Sequence, residues 1–302
     1  MKLWQIYLRG LFMGAADVVP GVSGGTVAFI TGIYERLINS LRSFDQRLWG
    51  VWKQQGLRGI WQAVDGLFLL TLLSGILSSI LLLAHLISWL LVTWPHHLNG
   101  FFFGLVAGSA IIISRQVPHW SFSRILFIGL GALVSSLLTL LLPAIGTIST
   151  TTFFLAGMIA ICAMILPGIS GSFLLLVMGL YAPLVEAVKT LQSTLLLAFA
   201  MGAGVGLLAF SHLLGWLFDH YRSATFATLF GFVISSLPHI WPWQLLTRYR
   251  ISEDGKVLPL DTQMLLPWHF TQITGEPSFF ISVTLLALIG WILVLLLAPR
   301  NH

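Results

Sequence analysis

An apolar stretch that breaks in its own middle limits what this chain can become. Residues Arg9 to Leu37 read RGLFMGAADVVPGVSGGTVAFITGIYERL, hydrophobic on both sides of Pro20-Gly21-Val22-Ser23-Gly24-Gly25-Thr26, with one acid, Asp17, inside the first arm. Proline lacks a backbone N–H and clashes with the preceding turn, while glycine admits positive φ and leaves the backbone open to close approach. The pattern predicts a helix that stops at Pro20 and restarts near Thr26.

A near copy follows at a constant offset of 147, in Ile161 to Leu184. Pro167, Gly168, Ser170, Gly171, Gly179, Tyr181 and Leu184 stand where Pro20, Gly21, Ser23, Gly24, Gly32, Tyr34 and Leu37 stand in the first. Ser172 replaces Gly25 and Met164 replaces Asp17, so the copies share the break but not the acid. A second offset, 127, superposes Gly75, His85, Trp89, Phe103, Gly104 and Ser109 on Gly202, His212, Trp216, Phe230, Gly231 and Ser236. The chain reads as a duplication whose first copy holds about 20 extra residues in the linker Glu35–Gly66.

Of the 302 residues, 57% are hydrophobic and 8% charged, against about 25% charged in soluble domains. That composition excludes a soluble globular protein and predicts an all-α polytopic membrane protein. Six further stretches approach the roughly 20 residues a span requires: Leu67–Leu91, Leu98–Ile113, Ile125–Leu142, Leu195–Phe218, Phe226–Leu237 and Phe279–Ala298. The fifteen Lys and Arg against ten Asp and Glu fit loops on anionic lipid, and no basic run points to nucleic acid. Cys162 is the single cysteine, so no internal disulfide forms. Nothing in the sequence calls for a metal or cofactor or sets an oligomeric state.

The expected architecture is about six full spans plus two broken re-entrant hairpins in an inverted repeat. Repeat one covers about 1–120, a connecting span 124–142, repeat two 150–241, an extracytoplasmic loop 238–278 and a last span 279–298. Polar backbone at mid-depth must line a cavity or be covered by protein, and each arm is shorter than a span, which favours re-entry over crossing. Eleven cations then share one face with both termini, against Lys189, Arg248, Arg250 and Lys256 on the other, which makes the crowded face cytoplasmic. The tally does not discriminate, because spanning segments also divide the cations eleven to four. Glu35–Gly66, with three tryptophans among basic residues, reads as an amphipathic segment on the membrane surface. Trp241, Trp243 and Trp268 suit an interfacial lid in the second linker.

A helix that restarts inside the membrane presents unpaired N–H groups and the positive end of its dipole, an anion site. Gly21, Ser23, Gly24, Gly25 and Thr26 in one copy, and Gly168, Ser170, Gly171 and Ser172 in the other, are the candidate binding residues, with Arg9 as a cationic partner. Two readings from other classes use the same residues. A small-anion channel or exchanger needs the same paired N-termini, and an intramembrane serine hydrolase would exploit the Gly-x-Ser-Gly form around Ser23 and Ser170, given a base in reach.

The run Gly14-Ala15-Ala16-Asp17-Val18-Val19-Pro20-Gly21-Val22-Ser23-Gly24-Gly25-Thr26, then Gly32-Ile33-Tyr34-Glu35, with Leu166-Pro167-Gly168-Ile169-Ser170-Gly171-Ser172, resembles the polyprenyl-phosphate transporter family. The resemblance implies a flippase of the bacterial cytoplasmic membrane that returns undecaprenyl phosphate, the lipid carrier of cell-wall precursors, from the outer to the inner leaflet. Protons are the candidate coupling ion. An ionised Asp17 inside the membrane costs at least ~2.5–3.5 kcal/mol at mid-depth, so it is expected to be protonated or paired, with Arg9 two turns earlier. Glu35, beside Arg36, is a candidate gate. His85 and His212, matched intramembrane histidines, are candidate relay or phosphate contacts.

Overall fold

The computed structural model describes residues 1–18, 22–117, 120–141, 148–251 and 257–297. Helices α1 (Leu3–Val18), α2 (Gly24–Ile30) and α3 (Tyr34–Arg42) form the first broken segment, followed by α4 (Arg47–Ala63), α5 (Gly66–Thr93), α6 (Pro95–Arg115) and α7 (Phe122–Leu141). The second broken segment is α8 (Thr150–Ile165), α9 (Gly171–Val177) and α10 (Tyr181–Lys189), then α11 (Ser193–Ser236) and a 3₁₀ turn, Leu237–Ile240. Strands β1 (Gln244–Ile251) and β2 (Val257–Met264) pair antiparallel, and α12 (Pro267–Thr274) and α13 (Phe280–Leu297) close the chain.

The bounds of α1, α2 and α3 plus 147 are those of α8, α9 and α10. Gly32 (φ +71°) and Gly179 (φ +73°) make the matching turns that send each seven-residue helix into the next. Between α9 and α10 the chain bends by 104°. At the other offset, α5 begins at Gly66 and α11 at Ser193, 127 residues later. Trp94 separates α5 from α6 at φ −135°, ψ 51°, and its counterpart Tyr221 interrupts α11 at φ −132°, ψ 39°. Straight, α11's 44 residues would reach about 66 Å, twice the hydrocarbon core. Instead Thr225 Oγ1 donates to Leu217 O, eight residues back, at 3.3 Å, so the chain folds sharply at Tyr221. The stretches expected at Leu195–Phe218 and Phe226–Leu237 are the two limbs of this one element.

Four helix pairs cross backbone against backbone, each with one glycine from either side. They are Gly10 with Gly75 (α1, α5), Gly157 with Gly202 (α8, α11), Gly104 with Gly290 (α6, α13) and Gly131 with Gly231 (α7, α11); a Cβ at any of the eight would strike a carbonyl oxygen of the facing helix. Lipid offers no hydrophobic drive between helices, so close approach at small residues holds them. The helix following each bend packs on the last helix of the other half: α6 on α13, and α11's second limb on α7.

Helices α5, α6 and α11 are long and apolar enough to cross a membrane, and parts of α7, α8 and α13 are apolar but shorter. Leu81 and Leu82 on α5 and Ile281 on α13 are 78%, 72% and 75% exposed, a surface only lipid would wet without cost. The chain is a mainly helical, multi-pass membrane protein.

Both linkers differ from expectation. Glu35–Gly66 is two elements, because α3 belongs to the repeated unit and only α4 is the inserted helix, with Trp49, Trp52 and Trp61 exposed. The segment 238–278 departs from an all-α chain by carrying the β-hairpin, as well as α12. Its Trp243 is buried, donating Nε1–H to Ser278 O at 2.7 Å, and Trp241 donates to Leu265 O at 2.8 Å. Those two tryptophans are structural pins; Trp268 alone is exposed.

Candidate functional site

The two breaks meet. Ser23, 1% exposed, caps α2 by accepting from Gly25 N at 3.1 Å and directs its hydroxyl at the end of α8, to Leu166 O at 3.0 Å and Met164 O at 3.2 Å. Thr26 Oγ1 accepts from Gly168 N at 3.0 Å. Gly25 has to be glycine because a Cβ there would enter the Ile165 carbonyl, and Gly168 sits at φ +86° against the Phe232 carbonyl on α11. The hydroxyls of Ser23 and Thr26, expected to face an anion, are instead the rivets between the two copies. They replace the peptide hydrogen bonds that each helix lost by breaking.

The acid has a different partner from the one expected. Asp17 Oδ1 accepts from Gly24 N at 2.7 Å, and a Cβ on Gly24 would strike its carboxylate. A side-chain carboxyl therefore occupies the anion position at the start of α2, where N–H and dipole favour it. Arg9 hydrogen-bonds to the Met1 sulfur and makes no ion pair among the described residues. Eight residues of helix separate the two α-carbons by about 12 Å along the axis, beyond ion-pair contact for side chains running perpendicular to it.

The second copy lacks the carboxyl that caps the first. Ser170 accepts from Phe173 N at a long 3.4 Å and shares a 2.9 Å hydrogen bond with Ser172. Met164, in the place of Asp17, packs near Gly171, so no carboxyl caps α9. Of the other candidates, Gly21 and the side chain of His85 lie outside the described residues. His212 is exposed and bonded to Leu208 O, one turn back on its own helix, at 2.8 Å. Glu35 does pair, but with Arg222 across the fold, in two bonds of 2.7 and 3.0 Å. Arg36 instead holds Asp65, and Arg42 holds Asp219, each at 2.7 Å. These three pairs tie α3 to the start of α5 and to the bend of α11.

Beside the breaks lies a feature the periodicity did not reveal, an apolar cavity of about 880 Å³ between α7, α8 and both limbs of α11. Leu166 and Leu174 line it where the breaks meet, and Leu130 and Leu213, each about half exposed, stand at its open side. Ala163, Gly206, Ala209 and Ala224 thin its walls. Those small residues on facing helices were the available signal.

A family model described as VCA0040-like, undecaprenyl phosphate translocase-like, matches residues 13–258. The chain belongs to this family. It is 48% identical over 295 residues to a polyprenyl-phosphate transporter of Vibrio cholerae serotype O1, covering 98% of this chain and 96% of that protein. It is 33% identical over 260 residues to a polyprenyl-phosphate transporter of Staphylococcus aureus, covering 79% and 86%. No solved structure matches.

Proposed function

We propose that the chain transports polyprenyl phosphate, returning undecaprenyl phosphate from the outer to the inner leaflet of the bacterial cytoplasmic membrane. The observation that carries this reading is the cavity. A small inorganic anion needs an axial path and no apolar wall, whereas a lipid needs a slot between helices, open sideways, that ends where its head group is handled. This one is almost wholly apolar and reaches Leu166, whose carbonyl is bound to Ser23. The relatives' names supply the chemical class, and Ser23, whose hydroxyl is engaged with backbone carbonyls, does not suit a nucleophile.

The phosphate passes the crossing of the two breaks. Ser170, Gly171 and Ser172 offer it donors in the second copy, beside Gly168, and Ser23, Gly24, Gly25 and Thr26 frame the first. Asp17 sets the condition for entry, because its carboxylate and a phosphate compete for Gly24 N–H and repel each other. Taking up a proton neutralises Asp17 and frees the N–H, which links phosphate entry to proton uptake. In proteoliposomes loaded with a short-chain polyprenyl phosphate, Asp17→Asn is expected to keep lipid binding and lose the pH dependence of transport. Wild-type pH dependence in that variant removes Asp17 as the coupling group.

The broken segments re-enter their own faces, the two halves are inverted, and both termini are cytoplasmic. Two contacts support this arrangement. Spanning segments would put Glu35 and Arg222 on opposite faces, yet they are paired at 2.7 Å. They would likewise separate the start of α6 from the second linker, yet His96 Nδ1 lies 2.7 Å from Pro242 O.

A further inference from the structure

The cavity has a second end. Gly168 at the break lies against Phe232, and Tyr221 at the bend lies eleven residues earlier on the same limb; both line the cavity, which therefore runs about 16 Å from the breaks to the bend. At the bend end stands Arg124 in the first turn of α7, one turn before Phe127 of the lining. Its Nε donates to Ser223 Oγ at 3.0 Å and one terminal nitrogen donates to Ser121 Oγ at 2.8 Å. Ser223 lies between Tyr221 and Ala224, both lining residues.

The neighbouring cations are neutralised: Arg222 by Glu35 and Arg42 by Asp219. Arg124 meets hydroxyls alone and pairs with no carboxylate among the described residues. A guanidinium carries five N–H donors, and the two bonds to serine leave three. An uncompensated, pre-oriented cation at one end of an apolar slot is the chemistry that recognises an anionic head on a long hydrocarbon tail.

We propose that Arg124, with Ser121 and Ser223, is a docking site for a lipid phosphate monoester, holding the head at the membrane face while the slot takes the tail. It is a station distinct from the breaks. This rests on the polyprenyl-phosphate reading of the chain.

The test is equilibrium binding of a radiolabelled short-chain polyprenyl phosphate to the full chain in nanodiscs. Arg124→Gln is expected to weaken binding ~10-fold or more, as loss of a charged hydrogen-bond partner does, and Arg124→Lys to recover part of it. Inorganic phosphate at the same concentration should not compete, and the neutral polyprenol should compete poorly. The unaltered protein gives a second readout, maleimide labelling of its single cysteine, Cys162, in the cavity lining. Polyprenyl phosphate should slow that reaction, and Arg124→Gln should remove the protection. Equal affinity in Arg124→Gln, or competition by inorganic phosphate equal to that of the lipid, overturns the docking site and leaves the transport reading standing. No binding by the unaltered protein overturns both. If Arg124→Gln does not fold, Cys162 protection in the unaltered protein by the lipid phosphate, but not by the polyprenol, decides for the site, and equal protection by both decides against it.

Discussion

Ser23 and Ser170 occupy matching positions, yet their removal is expected to cost different amounts. Ser23 caps α2, and replacing a capping serine with alanine costs about 1 kcal/mol. Its hydroxyl also serves two carbonyls of α8 at 3.0 and 3.2 Å in a site 1% exposed. Leaving those two carbonyls buried without that partner adds about 1–3 kcal/mol. Ser23→Ala should therefore destabilise the protein by about 2–4 kcal/mol. Among the described residues Ser170 makes only the 3.4 Å cap to Phe173 N and the bond to Ser172, so Ser170→Ala should cost about 1 kcal/mol or less. The assay is unfolding of purified protein in detergent, followed by helical circular dichroism against heat or SDS. Hydrogen exchange over 22–30 and 164–174 tests whether Ser23→Ala loosens both copies together. A Ser170→Ala variant as unstable as Ser23→Ala, or faster exchange confined to α2, refutes the assignment of Ser23 as the link between the breaks.

Gly202→Val places a side chain on the Phe154 carbonyl, whereas Gly204 has open space around it; the first variant should fail to yield monodisperse protein and Gly204→Val should purify normally. Glu35 and Arg222 are 41% and 58% exposed, so a double-mutant cycle with Glu35→Gln and Arg222→Gln should return a coupling of about 0.2–1 kcal/mol that shrinks in high salt; a larger, salt-independent coupling contradicts a screened latch. In a Cys162→Ser background, an impermeant maleimide on intact cells should label Gln272→Cys and spare Lys2→Cys, and the opposite pattern sinks the inverted arrangement.

Much of the site's location was legible in the residues themselves. Proline and glycine act on the backbone locally, so Pro20 and Pro167 marked both breaks, and the offsets of 147 and 127 reappear as matching helix bounds. Composition alone identified the solvent as lipid, because only a nonpolar medium tolerates so few charges. Partners were another matter. Asp17 looked two turns back to Arg9, and Glu35 to the adjacent Arg36, since sequence displays only neighbours along the chain. The fold brought Gly24 N–H to the first and Arg222, 187 residues away, to the second. Ser23 and Thr26 read as donors to a ligand until the second copy docked on them, and Arg124 read as one more interfacial cation until packing placed Ser223 and an apolar slot beside it. A hydrogen bond or a cavity is a relation between segments, and hydrophobic periodicity records only which face of a helix avoids water, not which surface comes to cover it.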